Sequence, residues 1–222
     1  MSSSDSTPSS PAPAPTEISE AERRPSARIG AVLFRHRGWL PVPFLLVPLL
    51  ARGTMQPRNW ILGFALIVLG EAIRLAGVAA AGTVTRRRSR TVQRLVTYGI
   101  FAWMRNPLYV GNFLIWIGFT VISGVLWFIP VAVLLFAIEY SLIVRYEEGV
   151  LESIFGPEYL AYKARTPRWI PRPPGATDDR GEHHWGEAWR SEVSTFLQYA
   201  VITGAFVVKQ RFGWGWGVGS GG

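Results

Sequence analysis

Cysteine is absent from this chain of 222 residues, and charged side chains are scarce. The missing thiols exclude disulfides, thiolate metal sites and cysteine nucleophiles. Charged residues make up 17% of the chain and hydrophobic residues 49%, whereas ordinary soluble domains carry roughly 25% charged residues. The ten tryptophans and twelve phenylalanines suit segments that are anchored at a bilayer interface. The composition therefore predicts an integral membrane protein.

Acidic residues are fewer than basic ones, 15 against 23, which gives a formal net charge of +8. Such a balance is also found in proteins that bind nucleic acid. Here, however, the arginines cluster beside apolar segments rather than along one soluble face. Retention of loops in the cytoplasm and contact with anionic lipids explain this pattern better. We expect membrane lipids as partners and no nucleic acid.

The first two apolar segments differ in length. Gly38 to Ala51, extended by Ala31 to Phe34, just reaches the 20 or so residues that a span needs, so we expect a short or kinked first span. Trp60 to Ala81 is a second, full-length span. Its Glu71 and Arg74 are three residues apart and share one helix face. They form either a self-neutralising pair or a polar patch that faces a substrate or cofactor.

The next two apolar segments, Leu108 to Ser123 and Val125 to Val144, are separated only by Gly124. So short a connection predicts an antiparallel helical hairpin. Pro130 is expected to kink the second arm, because a proline inside a helix removes a hydrogen bond. Arg145 then marks the return to the cytoplasmic side.

Beyond the hairpin the sequence becomes amphipathic. Apolar residues between Glu147 and Phe155 recur with helical spacing, and Gly156 followed by a proline stops that helix. A second short helix is expected from Glu158 to Ala164, and an extended segment from Thr166 to Pro171. We interpret this block as a lid on the cytoplasmic surface of the membrane.

These patterns predict an all-α, polytopic membrane protein with about five transmembrane helices and a cytoplasmic amino terminus. Val193 to Val208 fits either a last span or a helix that lies on the membrane. His183 and His184 are assigned to a loop and not to a metal site, because neither helical spacing nor paired carboxylates accompany them. The predicted divisions are a disordered tail (1–28), a membrane domain (29–172), a polar linker (173–191), an additional apolar helix (192–212) and a Gly/Trp-rich tail (213–222).

A polar turn, Arg105-Asn106-Pro107, stands where the third apolar segment begins. It follows the acid-free, arginine-rich stretch from Arg86 to Arg94, which predicts a cytoplasmic loop. Irregular polar backbone at the edge of hydrocarbon is costly, and ionisable groups there usually serve a function. The turn is therefore the first candidate for a functional site.

Two stretches, Gln93 to Gly111 and Glu147 to Pro171, together resemble the isoprenylcysteine carboxyl methyltransferase and phospholipid methyltransferase superfamily. The matching motifs are Arg105-Asn106-Pro107-Leu108-Tyr109-Val110-Gly111, Glu147-Glu148-Gly149-Val150-Leu151 and Phe155-Gly156-Pro157-Glu158-Tyr159-Leu160-Ala161-Tyr162. The resemblance implies a membrane-embedded methyltransferase that uses S-adenosylmethionine and a lipophilic or lipid acceptor.

The resemblance also implies residue roles. The residues it implies for binding of S-adenosylmethionine are Gln93, Arg94, Leu95, Val96, Phe101, Asn106, Pro107, Leu108, Tyr109, Glu147 and Tyr159. The catalytic group it implies is Arg105, Glu148 and Arg145. An arginine can hold the carboxylate of the cofactor with two hydrogen bonds, and a glutamate can pair with its ammonium. Ile143 stands where prenylcysteine enzymes carry an arginine, and Arg145 is the nearest replacement on a different helix face.

Three other interpretations of these residues remain open. A sterol-reductase-like enzyme would bind NADPH in the same place, and a lipid-binding scaffold would bind neither nucleotide. Arg105 could also pair with Glu147 and Glu148 at the membrane surface without any catalytic role. For location we expect a bacterial inner membrane, with the active site facing the cytoplasm.

Overall fold

The computed structural model describes residues 25–36, 41–82, 94–175 and 181–215 of the chain. The amino-terminal tail up to residue 24, most of the arginine-rich stretch with Gln93, and the end of the Gly/Trp-rich tail lie outside these ranges. Most of the described residues are helical and none of them forms a strand, as the sequence predicts. The helices are α1 (Pro25–His36), α2 (Pro41–Leu50), α3 (Pro57–Ala81), α4 (Ile100–Trp103), α5 (Pro107–Ile122), α6 (Ile129–Phe155), α7 (Pro157–Arg165) and α8 (Trp185–Phe212).

Three helical segments of the described chain are long and apolar enough to cross a membrane, and this confirms a helical membrane protein. They are Pro57–Ala81, Leu126–Phe155 and Trp185–Phe212. The second of them joins a short 3₁₀ turn, Leu126–Phe128, to α6. Helix α5 is apolar but has only 16 residues, about 24 Å of helix.

The segment predicted as the first span is divided between two short helices. α2 has ten residues, with Pro48 inside it, so it covers about 15 Å, half of the ~30 Å hydrocarbon thickness. α1 packs against α6, where a Cβ on Gly30 would lie 2.7 Å from the carbonyl oxygen of Leu142. α1 begins at Pro25, so residues 25–28 are helical rather than part of the predicted tail.

Helices α3 and α5 make the most extensive contact between elements of the described chain. A Cβ on Gly70 would lie 2.6 Å from the carbonyl oxygen of Gly111, and a Cβ on Gly111 would lie 2.6 Å from that of Gly70. Gly63 and Gly118 face each other in the same way, at 2.6 and 2.7 Å. Glycines seven residues apart on each helix thus keep two backbones in contact along one face.

Replacing Gly70 with alanine should lower the thermal unfolding temperature of the purified protein. The added methyl group meets a backbone carbonyl that cannot rotate away, so the helices must separate, and overpacking of this kind costs roughly 1–3 kcal/mol. Gly204→Ala in α8 is the matched control, because nothing lies within 4 Å of a Cβ there. Equal unfolding temperatures for the two variants would contradict the close packing of α3 and α5.

The predicted hairpin between α5 and α6 is present, with Gly124 at φ 70° in the connection. The expected kink at Pro130 is wrong, because this proline is the second residue of α6, where no intrahelical bond is lost. The helix also continues past Arg145 to Phe155. The amphipathic segment predicted as a separate helix therefore forms the last turns of α6, and α7 follows Gly156 directly.

Helix α8 begins at Trp185 and has 28 residues. The predicted polar linker is corrected accordingly: its residues 185–191 are helical, and the apolar helix starts before residue 192. The first turns are polar in composition, yet Ala188 and Glu192, four residues apart, are both completely buried. Ala188 packs against Leu75 and Val78 of α3.

Glu71 and Arg74 of α3 form an ion pair with 3.3 Å between Oε2 and Nε. The pair is joined by side chains from two other helices. Arg74 Nη2 donates to both carboxylate oxygens of Glu192 in α8, at 3.1 and 3.2 Å. Arg74 Nη1 donates to Asn112 Oδ1 in α5. The Tyr199 hydroxyl donates to Glu71 Oε2 at 2.8 Å. The sequence predicted the pair but not these partners.

The other end of α8 is attached to α2 and α3. Lys209 is buried, and its Nζ donates to the carbonyl oxygens of Pro48 at 2.5 Å and Ala51 at 2.6 Å. A cation is favourable at the carboxyl end of a helix, where carbonyls lack intrahelical partners. Trp60 Nε1 donates to Gln210 Oε1 at 3.2 Å. These contacts fix α8 beside the start of α3.

Candidate functional site

The Arg-Asn-Pro turn connects α4 to α5 at one end of the bundle. Gly99 precedes α4 with φ 62°, a left-handed conformation that glycine adopts without strain. Asn106 immediately precedes α5, and Pro107 is the first residue of that helix, where its fixed φ is favourable. Between the two helices lies Arg105, whose side chain is only 9% exposed.

The extended segment after α7 pairs with this turn through its backbone. The Arg105 amide donates to the Pro167 carbonyl at 2.9 Å, and the Arg172 amide donates to the Trp103 carbonyl at 3.1 Å. The side-chain amide of Asn106 donates to the Arg168 carbonyl at 3.1 Å. The predicted lid is thus hydrogen-bonded to the turn that it covers.

Glu148 of α6 lies between two arginines from these two segments. Its Oε1 is 3.4 Å from Arg105 Nη2 and accepts a hydrogen bond from Arg168 Nε at 3.0 Å. Its Oε2 accepts from Arg168 Nη2 at 2.5 Å. The Glu148 side chain is only 6% exposed, so this contact is buried and not a surface pair. Arg105 and Glu148 thus form the ion pair that was considered in the sequence analysis. The expectation that this pair lies on the surface is wrong, because both side chains are buried.

Two nitrogens of Arg105, Nε and Nη1, are buried and find no acceptor among the described residues. A buried donor without a partner costs about 1–3 kcal/mol, and more when it is charged. Together the two arginines and Glu148 carry one excess positive charge. The donors and the charge fit an anionic group, such as a carboxylate, at this position.

Two tyrosines of α7 lie under the turn. The Tyr162 hydroxyl donates to the Phe101 carbonyl at 2.8 Å, and the ring centroids of Tyr159 and Tyr162 are 6.0 Å apart. Burial raises the pKa of both tyrosines above the usual value, and the Glu148 charge raises that of Tyr159 further. Both hydroxyls therefore stay protonated at neutral pH, and that of Tyr162 acts as a donor.

The other predicted site residues surround this group to different extents. Arg94 is exposed, and its guanidinium lies 5.7 Å from the centre of the Tyr98 ring. Arg145 lies on the exposed side of α6, outside the contacts of Glu148. Their roles, like those of the remaining positions, stay predictions. Half-buried on the elements that meet here are Leu95, Val96, Phe101, Leu108, Tyr109 and Glu147.

Residues 181–184, just before α8, lie against the stretch that leads into α4. The Tyr98 hydroxyl is 2.7 Å from the Ala80 carbonyl oxygen and 3.1 Å from that of Glu182. The His183 ring meets the Tyr98 ring edge-on, with centroids 5.6 Å apart. The predicted loop with its two histidines thus packs over the end of α3 and beside the turn.

A series of aromatic contacts runs from the turn towards the middle of the membrane. Tyr109 of α5 contacts Tyr140 of α6, with ring centroids 4.8 Å apart. Tyr140 stacks on Phe136 at 4.0 Å, and Phe136 contacts Phe113 at 4.8 Å. The fold and the site therefore define an integral membrane protein with a buried cationic site that continues into an apolar interior.

Comparison with known proteins agrees with this class. The phospholipid methyltransferase family profile matches residues 59–158. Isoprenylcysteine O-methyltransferase B from Arabidopsis thaliana is 34% identical over 53% of this chain and 62% of its own length. The human isoprenylcysteine O-methyltransferase is 33% identical over 49% of this chain and 40% of its own. The cobalt-zinc-cadmium resistance protein CzcN from Cupriavidus metallidurans is 33% identical over 69% of this chain and 70% of its own.

The chain belongs to the isoprenylcysteine carboxyl methyltransferase and phospholipid methyltransferase superfamily, which confirms the prediction from its motifs. It spans between 40 and 62% of the plant and human methyltransferases. No protein of solved structure matches it significantly. The matched residues 59–158 contain all but the first two residues of α3, the turn, the hairpin and Glu148, whereas α8 lies outside them.

Proposed function

We propose that this chain transfers a methyl group from S-adenosylmethionine to a lipophilic acceptor in the membrane. The observation that carries the proposal is the buried Arg105 guanidinium, which has two nitrogens without an acceptor and lies inside the family-matched residues. Relatives named as isoprenylcysteine O-methyltransferases support methyl transfer as the reaction.

The residues at the turn suit the amino-acid end of this cofactor. Arg105 Nε and Nη1 would bind its carboxylate, and Glu147 would pair with its ammonium. When bound, the cofactor supplies a methyl group on a positively charged sulfur. The ring faces of Phe101 and Tyr109 would stabilise that charge by cation–π attraction, worth about 0.5–2 kcal/mol each.

Glu148 and Arg168 act on Arg105 and not on the cofactor. Glu148 holds one end of the guanidinium through Nη2, which leaves the other two nitrogens for a ligand. Arg168 joins Glu148 to the lid through two hydrogen bonds. The site is thereby fixed before binding and shielded from water, and methyl transfer gains mainly from alignment and exclusion of water.

We further propose that the site faces the cytoplasm of a bacterial cell, across its inner membrane. The turn is at the end of α3 that carries the arginine-rich stretch from Arg86 to Arg94. Loops of this composition are retained in the cytoplasm. The cofactor would then enter from the cytoplasm and the acceptor from the bilayer.

Calorimetric titration of the detergent-purified protein with S-adenosylhomocysteine and, separately, with NADPH tests the proposal. We expect micromolar binding of S-adenosylhomocysteine and no binding of NADPH. Binding of NADPH alone would establish the reductase interpretation instead. If neither binds to protein that is shown to be folded, the lipid-binding scaffold becomes the better interpretation.

A further inference from the structure

Three parts of the chain meet at the end of the bundle where α3 begins, which is the end distant from Arg105. The loop after α2 lies against the connection between α5 and α6, where a Cβ on Gly53 would meet the carbonyl oxygen of Ser123. The residues after α8 join this loop, because Arg52 Nε donates to the Gly215 carbonyl at 2.8 Å. We call this surface the distal end, and it consists of residues 51–60, 123–128 and 209–215.

The distal end carries four basic residues and no acidic side chain. Lys209 is buried against backbone carbonyls, whereas the other three, Arg52, Arg58 and Arg211, are exposed. The chain has no aspartate or glutamate in the ranges 23–70, 113–138 and 193–222, which include the whole distal end. No carboxylate side chain from these segments therefore neutralises the three exposed arginines.

The exposed arginines stand at the level of lipid headgroups. Helices α3 and α8 have 25 and 28 residues, about 38 and 42 Å of helix, which is close to the ~40–45 Å of a bilayer with its headgroups. Arg58 is the second residue of α3, and Arg211 is the last but one of α8. Exposed Trp127 and Trp214 lie at the same end, and tryptophan is typical of the membrane–water interface.

The two ends of α8 differ in the company that their arginines keep. Arg190, near the start of the helix, is exposed and stands three residues after Glu187 and two before Glu192. Arg211, near the end of the same helix, has no acidic residue within eighteen positions on either side. Basic residues without neighbouring acids attract anionic lipids, and the attraction grows with the number of Lys and Arg at the surface.

We propose that the distal end binds the headgroup phosphate of an anionic phospholipid such as phosphatidylglycerol, with Arg52 and Arg211 as its ligands. A guanidinium suits this role because it offers paired donors to phosphate oxygens. Val207 and Val208 are exposed and share the helix face of Arg211, so they provide an apolar path for the acyl chains. A zwitterionic headgroup carries an additional cation, which the arginines repel. The site is independent of methyl transfer.

Fluorescence quenching next to the distal end tests the proposal. The chain lacks cysteine, so Thr54→Cys, at an exposed position of the loop after α2, introduces one thiol for a bimane label. The labelled full chain is placed in phosphatidylcholine nanodiscs that contain doxyl-labelled phosphatidylglycerol or doxyl-labelled phosphatidylcholine. We expect phosphatidylglycerol to be enriched about tenfold over phosphatidylcholine at the label. High salt should reduce this enrichment, because exposed charges are screened.

Arg211→Gln should lower the enrichment about fivefold, which is the contribution of one arginine near a lipid surface. Combining it with Arg52→Gln should remove the preference for phosphatidylglycerol. Arg190→Gln is the matched control, because it removes an exposed arginine from the other end of the same helix, and it should leave the enrichment unchanged. Thermal unfolding checks the fold, and Arg52→Gln alone is the second variant if Arg211→Gln does not fold.

Three results would overturn the proposal. Equal quenching by the two lipids would show that the distal end does not select an anionic headgroup. An equal loss of enrichment in Arg190→Gln and Arg211→Gln would show an effect of total charge without a local site. Relief of the quenching by an excess of soluble sn-glycerol 1-phosphate, which lacks acyl chains, would identify a site for free phosphate esters instead of a lipid.

Discussion

Replacing Arg105 with alanine should lower the affinity for S-adenosylhomocysteine roughly 100-fold or more, since two hydrogen bonds to a charged group are lost. The protein should remain folded, because Glu148 keeps both of its hydrogen bonds to Arg168. Arg105→Lys should recover part of the affinity, because a lysine restores the charge but not the planar pair of donors. Calorimetric titration measures the affinities, and thermal unfolding checks the fold.

Arg165→Ala is the control for this experiment, since Arg165 is an exposed arginine of α7 whose guanidinium lies 5.8 Å from the Tyr162 ring centre. It removes the same charge at the same end of the bundle and should leave binding unchanged. Combining Arg105→Ala with Glu148→Gln tests an alternative cause. If the double variant recovered binding, uncompensated charge on Glu148 would explain the loss, and direct binding by Arg105 would be excluded.

Replacing Arg74 with methionine should cost about 3–5 kcal/mol of stability, the usual result of removing one partner from a buried ionic group. The Arg74 side chain neutralises two acids, Glu71 and Glu192, whose exposed fractions are 6% and 0%. Neutral hydrogen bonds between membrane helices average only ~0.6 kcal/mol. The charge left behind, rather than the lost hydrogen bonds, therefore dominates the expected effect. Thermal unfolding in detergent measures it.

Arg58→Met is the matched control, because Arg58 is an exposed arginine of the same helix. It should change the unfolding temperature little. Adding Glu192→Gln to Arg74→Met should recover part of the loss, because one of the two unpaired acids is then neutral. A double variant that is less stable than Arg74→Met by the full cost of Glu192→Gln alone would show that the two positions are not coupled.

Local sequence features predicted the parts of this fold that depend on local chemistry. Continuous apolar length located α3, a lone glycine located the hairpin, and a glycine followed by proline located the end of α6. The turn was found because charged residues are rare at the edge of a span. Each of these signals lies within a few residues of the feature that it predicts.

The features that the sequence did not predict depend on distant contacts. Arg168 joins the site only because the segment after α7 runs back along the Arg-Asn-Pro turn. The start of α8 was missed because its first turns are polar and mostly exposed, and the burial of Ala188 and Glu192 within them depends on contacts with α3. Pro130 was misplaced because the helix start at Ile129 depends on the 3₁₀ turn before it. The seven-residue spacing of the glycines can be read from the sequence. It predicts a close helix contact only when α3 and α5 are already known to pack against each other.

Helix α8 also determines on which side of the membrane the described chain ends. It runs opposite to α3: the His184 amide donates to the Ala79 carbonyl at 2.8 Å, and Gln210 contacts Trp60 at the other end. Gly215 accepts a hydrogen bond from Arg52 at 2.8 Å, far from Arg105 and beside the start of α3. The Arg105 site and the last described residues after α8 thus lie at opposite ends of α3, and if α3 and α8 both cross the membrane, the proposed methyl-donor site and the segment after α8 face opposite sides of it.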